Sequence, residues 1–151
     1  MRLFQEAYEH QMNKEFDKAV ELYKKSIEMY ATAEAYTFLG WTYSWMGRVD
    51  DAIAECHKAI EVDPDFGNPY NDIGSYLLMK GNLDEAVPWL ERALRAPRYE
   101  SYCYPHMNLG RVFEAKRDWI RAKDEYRKAY AENKEYTPAA QALHRIRGYL
   151  N

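Results

Sequence analysis

The sequence predicts an all-α fold, an array of antiparallel helix hairpins closed by a C-terminal capping helix. Apolar and small residues recur at helical spacing twice within Ala35–Pro64, with Gly47 between the halves. The same two-helix pattern returns along the chain at a period near 34 residues. Each helix also carries a very small residue on its apolar face, which a close helix crossing requires. In the clearest copy, Tyr36, Leu39, Gly40 and Tyr43 share one face of a first helix, at i, i+3, i+4 and i+7. Ala52, Ile53, Cys56, Ala59 and Ile60 share one face of a second. Gly40 has no Cβ, so another backbone can approach it there.

The period is read from the small residues. Gly74 lies 34 residues after Gly40, and Gly110 lies 36 after Gly74. Ala52, Ala86 and Ala122 take the same steps, as do Ala59, Ala93 and Ala129. Toward the N-terminus, Ala19, Tyr23 and Ser26 match Ala52, Cys56 and Ala59. A period near 34 with this pattern resembles the tetratricopeptide repeat, a helix–turn–helix unit that stacks on its neighbours. The second copy matches at Tyr36, Leu39, Gly40, Tyr43, Ala52, Ala59 and Pro64. The third matches at Tyr70, Ile73, Gly74, Leu77, Ala86, Leu90 and Ala93, and the fourth at Leu109, Gly110, Phe113, Ala122, Tyr126 and Ala129. The resemblance implies a right-handed superhelical α-solenoid. At 151 residues the chain reads as a single domain, with copies at about 1–32, 33–66, 67–102 and 103–136 and the cap at 137–151.

The first copy is the most degenerate. Glu6, Ala7 and His10 stand where Leu39, Gly40 and Tyr43 stand later, although Leu3, Phe4, Tyr8 and Met12 keep an apolar stripe. Within the hairpins, Phe16, Val49, Leu83 and Trp119 each precede the small alanine by three. Gly47 and Gly81 are expected to end their first helices in a left-handed conformation. Asn13 is expected to serve similarly, with Lys116 as the exception. Asp50, Asp51, Asp84 and Glu85 suit the first turn of a helix, where the dipole favours acid. Pro88 lies near the start of its helix, where it forfeits about one backbone bond. The stretch Ala96–Pro105, with Tyr99, Tyr102, Tyr104 and Cys103, is where the period slips by two residues. It is expected to be a longer connection packed on its neighbours; the rival reading is a change of superhelix pitch exposing a tyrosine patch. Thr137-Pro138 is an N-cap followed by proline at the first helical position. It opens a helix whose stripe is Ala139, Leu143, Ile146 and Leu150.

Composition narrows the function classes. Apolar residues make up 47% of the chain, enough to bury a core, and net charge is −3. No general nucleic-acid footprint is present. The charge is uneven: residues 1–100 hold 11 Lys/Arg against 18 Asp/Glu, and residues 101–151 hold 10 against 6. No apolar run reaches the roughly 20 residues that a membrane span needs. The charged start MRLFQEAYEH does not read as a signal peptide, so a cytoplasmic location is expected. The two cysteines, Cys56 and Cys103, form no disulfide framework. The four histidines make no ligand pair, and Cys103 with His106 is a lone C-x-x-H. No phosphate loop, nucleotide fingerprint or nucleophile elbow occurs. Neither enzyme activity, cofactor nor metal is expected.

What remains is surface. The resemblance implies that first helices line a concave wall where ligand segments bind. Thr37, Trp41, Ser44 and Trp45 are expected on that wall in the second copy, and Asn71, Ser75, Leu78 and Met79 in the third. The fourth contributes Met107, Arg111 and Glu114, and Tyr8, Gln11 and Met12 extend the wall in the first. Trp41 and Trp45 are the most specific feature, because interface hot spots favour Trp, Tyr and Arg. At least one of them is expected to be open to solvent. Asn71 suits a peptide backbone, and Arg111 a carboxylate. Some family members clamp chaperone C-terminal carboxylates with Lys and Asn on first helices. Here Thr37, Trp41, Tyr104 and Asn108 stand at those places and only Asn71 fits. The expected function is a non-catalytic scaffold binding a protein or peptide partner. The alternative is a structural module forming homo-oligomers through Leu3–Met12 or Thr137–Leu150.

Overall fold

The computed structural model describes residues 2–150, so Met1 and Asn151, the ends of the expected first copy and cap, lie outside it. Among the described residues the chain forms nine helices and no strand. They are α1 (Arg2–Met12), α2 (Phe16–Met29), α3 (Ala33–Trp45), α4 (Val49–Val62), α5 (Asn68–Met79), α6 (Leu83–Arg95), α7 (Cys103–Ala115), α8 (Trp119–Glu132) and α9 (Thr137–Leu150). Consecutive helices pair as four hairpins, α1–α2 to α7–α8, and α9 packs on α8. The first helices also touch in series, α1 to α3, α3 to α5 and α5 to α7, forming one row.

The glycines explain the close pairing. A Cβ on Gly40 would lie 2.9 Å from the Ala52 carbonyl oxygen and 3.6 Å from Cys56 Sγ. At Gly74 it would lie 2.5 Å from Leu90 Cγ, and at Gly110 2.5 Å from Tyr126 Cδ1. Ala7 and Tyr23, both fully buried, hold the equivalent places in the first hairpin. The partner residue thus varies from thiol to phenol while the position facing it stays small. The tyrosines need partners for their hydroxyls. Tyr23 Oη donates to Gln11 Oε1 at 2.7 Å, and Tyr126 Oη donates to Glu114 Oε1 at 2.6 Å.

Each hairpin reverses through one left-handed residue. Gly47 and Gly81 have φ of 80° and 81°. In the other two hairpins the left-handed residues are Lys14 (φ 63°) and Arg117 (φ 61°), one place beyond the expected Asn13 and Lys116. The chain reversal dictates this position whether or not glycine is there. Asp50 and Asp84, in the first turns of α4 and α6, reach across to the next hairpin and meet Lys80 and Lys116.

The longer α6–α7 connection is packed down. Gly67 N–H donates to the Arg98 carbonyl at 3.1 Å, and Arg98 N–H donates to the Asp65 carbonyl at 3.0 Å. The Arg98 side chain pairs with Asp63 at 2.6 Å and Glu34 at 3.0 Å. Tyr99 is buried against Gly67, where a Cβ would meet its ring. Tyr102 is half-buried, so of the three connection tyrosines only Tyr104 is open. At the C-terminal end, Ala139, Ala142 and Ile146 of α9 are buried in a cluster with Met107, Ala122, Tyr126 and Ala129. Leu143 and Leu150 are half-buried.

Candidate functional site

The row of first helices carries most of the expected wall, but less of it is open than helical spacing suggests. Trp45 is 44% exposed and Met79 61%. Trp41 is half-buried, with its ring 4.7 Å from Trp45 and 5.8 Å from Phe38. Trp45 in turn meets Phe16 of α2 edge-on at 5.8 Å. Ser44 and Ser75 are half-buried, and Ser44 Oγ donates to the Trp41 carbonyl. Met12, Trp45 and Met79 all end first helices, 33 and 34 residues apart, and form an exposed apolar ladder along one edge.

Four expected wall residues are covered. Thr37 is buried and its hydroxyl donates to the Ala33 carbonyl at 2.7 Å. Met107 is 3% exposed, packed in the α7–α8–α9 core rather than facing the groove. Gln11 is buried on Tyr23. Asn71 is buried because α7 closes over that flank of α5: Asn108 Nδ2 donates to Asn71 Oδ1 at 3.1 Å. Arg111 Nη1 then donates to Asn108 Oδ1 at 2.9 Å, so an exposed guanidinium is anchored by a buried amide pair. The Asn71 carbonyl oxygen therefore already has a partner within the chain.

Between α3, α5 and the connection lies a recess of about 420 Å³. Helix α3 lines it with Thr37, Phe38 and Trp41, and α5 with Asn68, Asn71 and Asp72. Tyr99, Ser101 and Tyr104 complete it. The structure thus joins two places that the sequence suggests separately, the Trp41 wall and the tyrosine-rich connection. Asp72 is the one charged residue of the lining. Burial pushes its carboxyl up to about 7, against a hydrogen bond from Asn71 that pulls it down. Nothing in the helical pattern sets Asp72 apart from an ordinary solvated acid.

A second, shallower recess of about 380 Å³ lies at the far end of α7, lined by Arg111, Glu114, Ala115, Arg117, Trp119 and Arg145. Here burial raises the Glu114 carboxyl, but bonds from Arg145 and Tyr126 outweigh it and hold the group below its usual range. The row of first helices is therefore polarised, with an acid near its middle and arginines toward its C-terminal end.

Cys56 is buried and its thiol is pushed well up, chiefly by burial. Cys103 is also buried, and both are free thiols. His106 Nδ1 lies 2.7 Å from Glu125 Oε2 rather than beside a metal-ligand set. Among the described residues no three His, Cys, Asp or Glu side chains converge to hold a metal. Among the described residues no helix is long and apolar enough to cross a membrane.

Comparison with known proteins agrees with this architecture. The tetratricopeptide repeat family profile matches residues 33–66, and a second profile of the same description matches 70–96. Heat shock protein STI1 of Saccharomyces cerevisiae is 31% identical over 101 residues, covering 62% of this chain and 17% of that protein. The chain spans about a fifth or less of the length of the curated relatives it matches. Among solved structures, pilF of Pseudomonas aeruginosa superposes with a TM-score of 0.88 at 20% identity, covering 96% of this chain and 66% of that one. The thermophilic protein TTC0263 of Thermus thermophilus gives 0.82 at 17% identity, covering 99% and 82%. The repeated hairpins, the glycine crossings and these matches agree: the chain belongs to the tetratricopeptide repeat family.

Proposed function

We propose that the chain is a non-catalytic scaffold that holds an extended or helical partner segment along the row of first helices. Tetratricopeptide repeat domains generally mediate protein–protein interaction. The observation that carries the finer reading is the aromatic recess of Trp41, Phe38 and Tyr104, with Trp45 open beside it. Aromatic anchors at the centre of an interface supply most of its binding energy. Both cysteines are free and buried, which suits a reducing compartment, and we place the protein in the cytoplasm.

Membership of a family in which some members clamp chaperone C-terminal carboxylates invites a chaperone-tail adaptor, but the clamp positions argue against it. Thr37 and Trp41 are not Lys and Asn, Tyr104 and Asn108 replace the basic pair, and Asn71 already bonds Asn108. The self-assembly alternative would use the end helices. The exposed residues of α9 include Gln141, His144 and Arg147 beside a single large aromatic, Tyr149, a mostly polar surface that weighs against it at that end. A monomeric mass at high concentration removes that alternative.

The test is a pull-down comparing wild type, Trp45→Ala and the Trp41→Ala/Trp45→Ala double variant. Captured proteins should be lost from both variants while helicity stays nearly unchanged. A folded double variant that captures the same proteins overturns the groove reading.

A further inference from the structure

We propose that the recess between α3, α5 and the connection is a subsite for one basic side chain, Lys or Arg, of the partner segment, seated on the Asp72 carboxylate and flanked by Trp41, Phe38 and Tyr104. This rests on the groove reading and names the chemistry of what binds there.

The first support is an unmatched charge. Eight carboxylate residues among those described are buried or half-buried, and seven have a cationic side chain within 4.0 Å. Glu55 has Lys58, Asp63 has Arg98 and Glu114 has Arg145. Asp72 alone has none. A partly desolvated, unpaired carboxylate costs free energy that a cation placed against it would recover.

The second support is the wall. Aromatic rings favour cations over their faces and accept the methylene stem of Lys or Arg along their edges. Trp41, Phe38 and Tyr104 supply such surfaces, and Thr37, Asn68 and Ser101 supply neutral polar rims. An anionic group would face Asp72 with no cation in the lining to offset it. A metal ion would find one carboxylate and no further His, Cys, Asp or Glu. The third support is the long-range field. The acidic excess of residues 1–100 draws basic segments toward this end of the row.

The titration of Asp72 fits. Its titratable neighbours are Cys56 from α4, Tyr76 on α5, Tyr99 from the connection and Tyr104 of α7, all pushed up by burial and neutral near pH 7. Arg111 of α7 reaches the site only through the Asn108–Asn71 bonds. No histidine lines the recess. Asp72 therefore governs the pH response, and cation binding should strengthen from pH 5.5 to pH 8 by about tenfold or more.

The test uses N-acetyl-lysine methylamide against its neutral analogue N-acetylnorleucine methylamide, titrated at pH 8 and followed by amide chemical shifts. The lysine probe should perturb the amides of α3 and α5 around Trp41 and Asp72, and bind at least tenfold more tightly than the neutral one. That preference should vanish in Asp72→Asn, which keeps the side-chain shape and should fold normally, as circular dichroism would verify. Equal binding of both probes, or a preference that survives Asp72→Asn, overturns the subsite. The pull-down separates this from failure of the groove. Capture lost in Trp45→Ala without a lysine preference leaves the groove standing and removes the subsite. A lysine preference with capture indifferent to both tryptophans removes the groove reading and keeps a recess for basic groups.

Discussion

Replacing Asp72 with Asn should stabilise the protein, and by an amount that depends on pH. The wild-type carboxyl rises from the usual 3.8 to about 7 on folding, because burial disfavours its charged form. The folded state therefore holds the proton more tightly than the unfolded chain. The stability linked to that proton is fully present below about pH 4 and is lost as pH rises through about 7. A displacement of about 3 pH units, at ~1.4 kcal/mol each, sets a ceiling of about 4 kcal/mol. Solvent in the open recess lowers it, and we expect ~2 kcal/mol. Asn keeps the hydrogen-bonding shape and cannot ionise. Thermal melts of both proteins at pH 4.5, 6, 7 and 8.5 should therefore coincide at the acid end and diverge upward. At pH 8.5 the variant should melt about 4–8 °C higher, at roughly 2–4 °C per kcal/mol for a chain of this size. Other ionising groups cancel in the difference. A difference independent of pH, or a less stable variant at pH 8.5, would refute the placement of Asp72 in a desolvated, cation-free site.

Three further outcomes are expected. Gly74→Leu should cost ~3 kcal/mol or more, at the top of the overpacking range, since even a Cβ there meets Leu90; an unchanged melt would mean that the crossing is looser than described. Lys14→Gly and Arg117→Gly should each stabilise by ~0.5–1 kcal/mol, relief of left-handed strain outweighing glycine's unfolded-state entropy; chemical denaturation of the two variants decides it. Removing 137–151 should uncover the apolar surface that Ala139, Ala142 and Ile146 close, giving oligomers or precipitation on size exclusion; a truncated chain that stays monomeric and melts as before would show that α9 is not a cap.

The hairpins and their crossings were legible because their requirement is local. A close backbone approach demands a residue without bulk, whatever stands opposite, so Gly40, Gly74 and Gly110 mark the period although Cys56, Leu90 and Tyr126 differ. The left-handed turns were read one place early in two hairpins, because Lys14 and Arg117 carry no compositional sign of their conformation. The groove was legible only in part. A helical wheel places Thr37, Asn71 and Met107 beside the core stripe, but neighbouring helices close over that flank (α7 over Asn71, α8 and α9 over Met107), and the open strip narrows to residues such as Trp45 and Met79. Asp72 could not be singled out at all. What distinguishes it is the absence of any Lys or Arg nearby, and that is settled by helices distant in sequence.

The backbone pairing at Arg98 bears on how the array comes apart. In an ideal stack each repeat senses only its immediate neighbours, so stability propagates like coupling along a one-dimensional chain and ends fray independently. Here the segment after α6 is stitched to the α4–α5 loop through Asp65 and Gly67, while the guanidinium reaches Glu34, 64 residues away in sequence. The second and third hairpins are thereby tied into one cooperative block, with the first hairpin on one side and the fourth hairpin with α9 on the other left as separable wings. Slow amide exchange should then be shared across Ala33–Arg98 as one unit, ending where the recess begins its last wall.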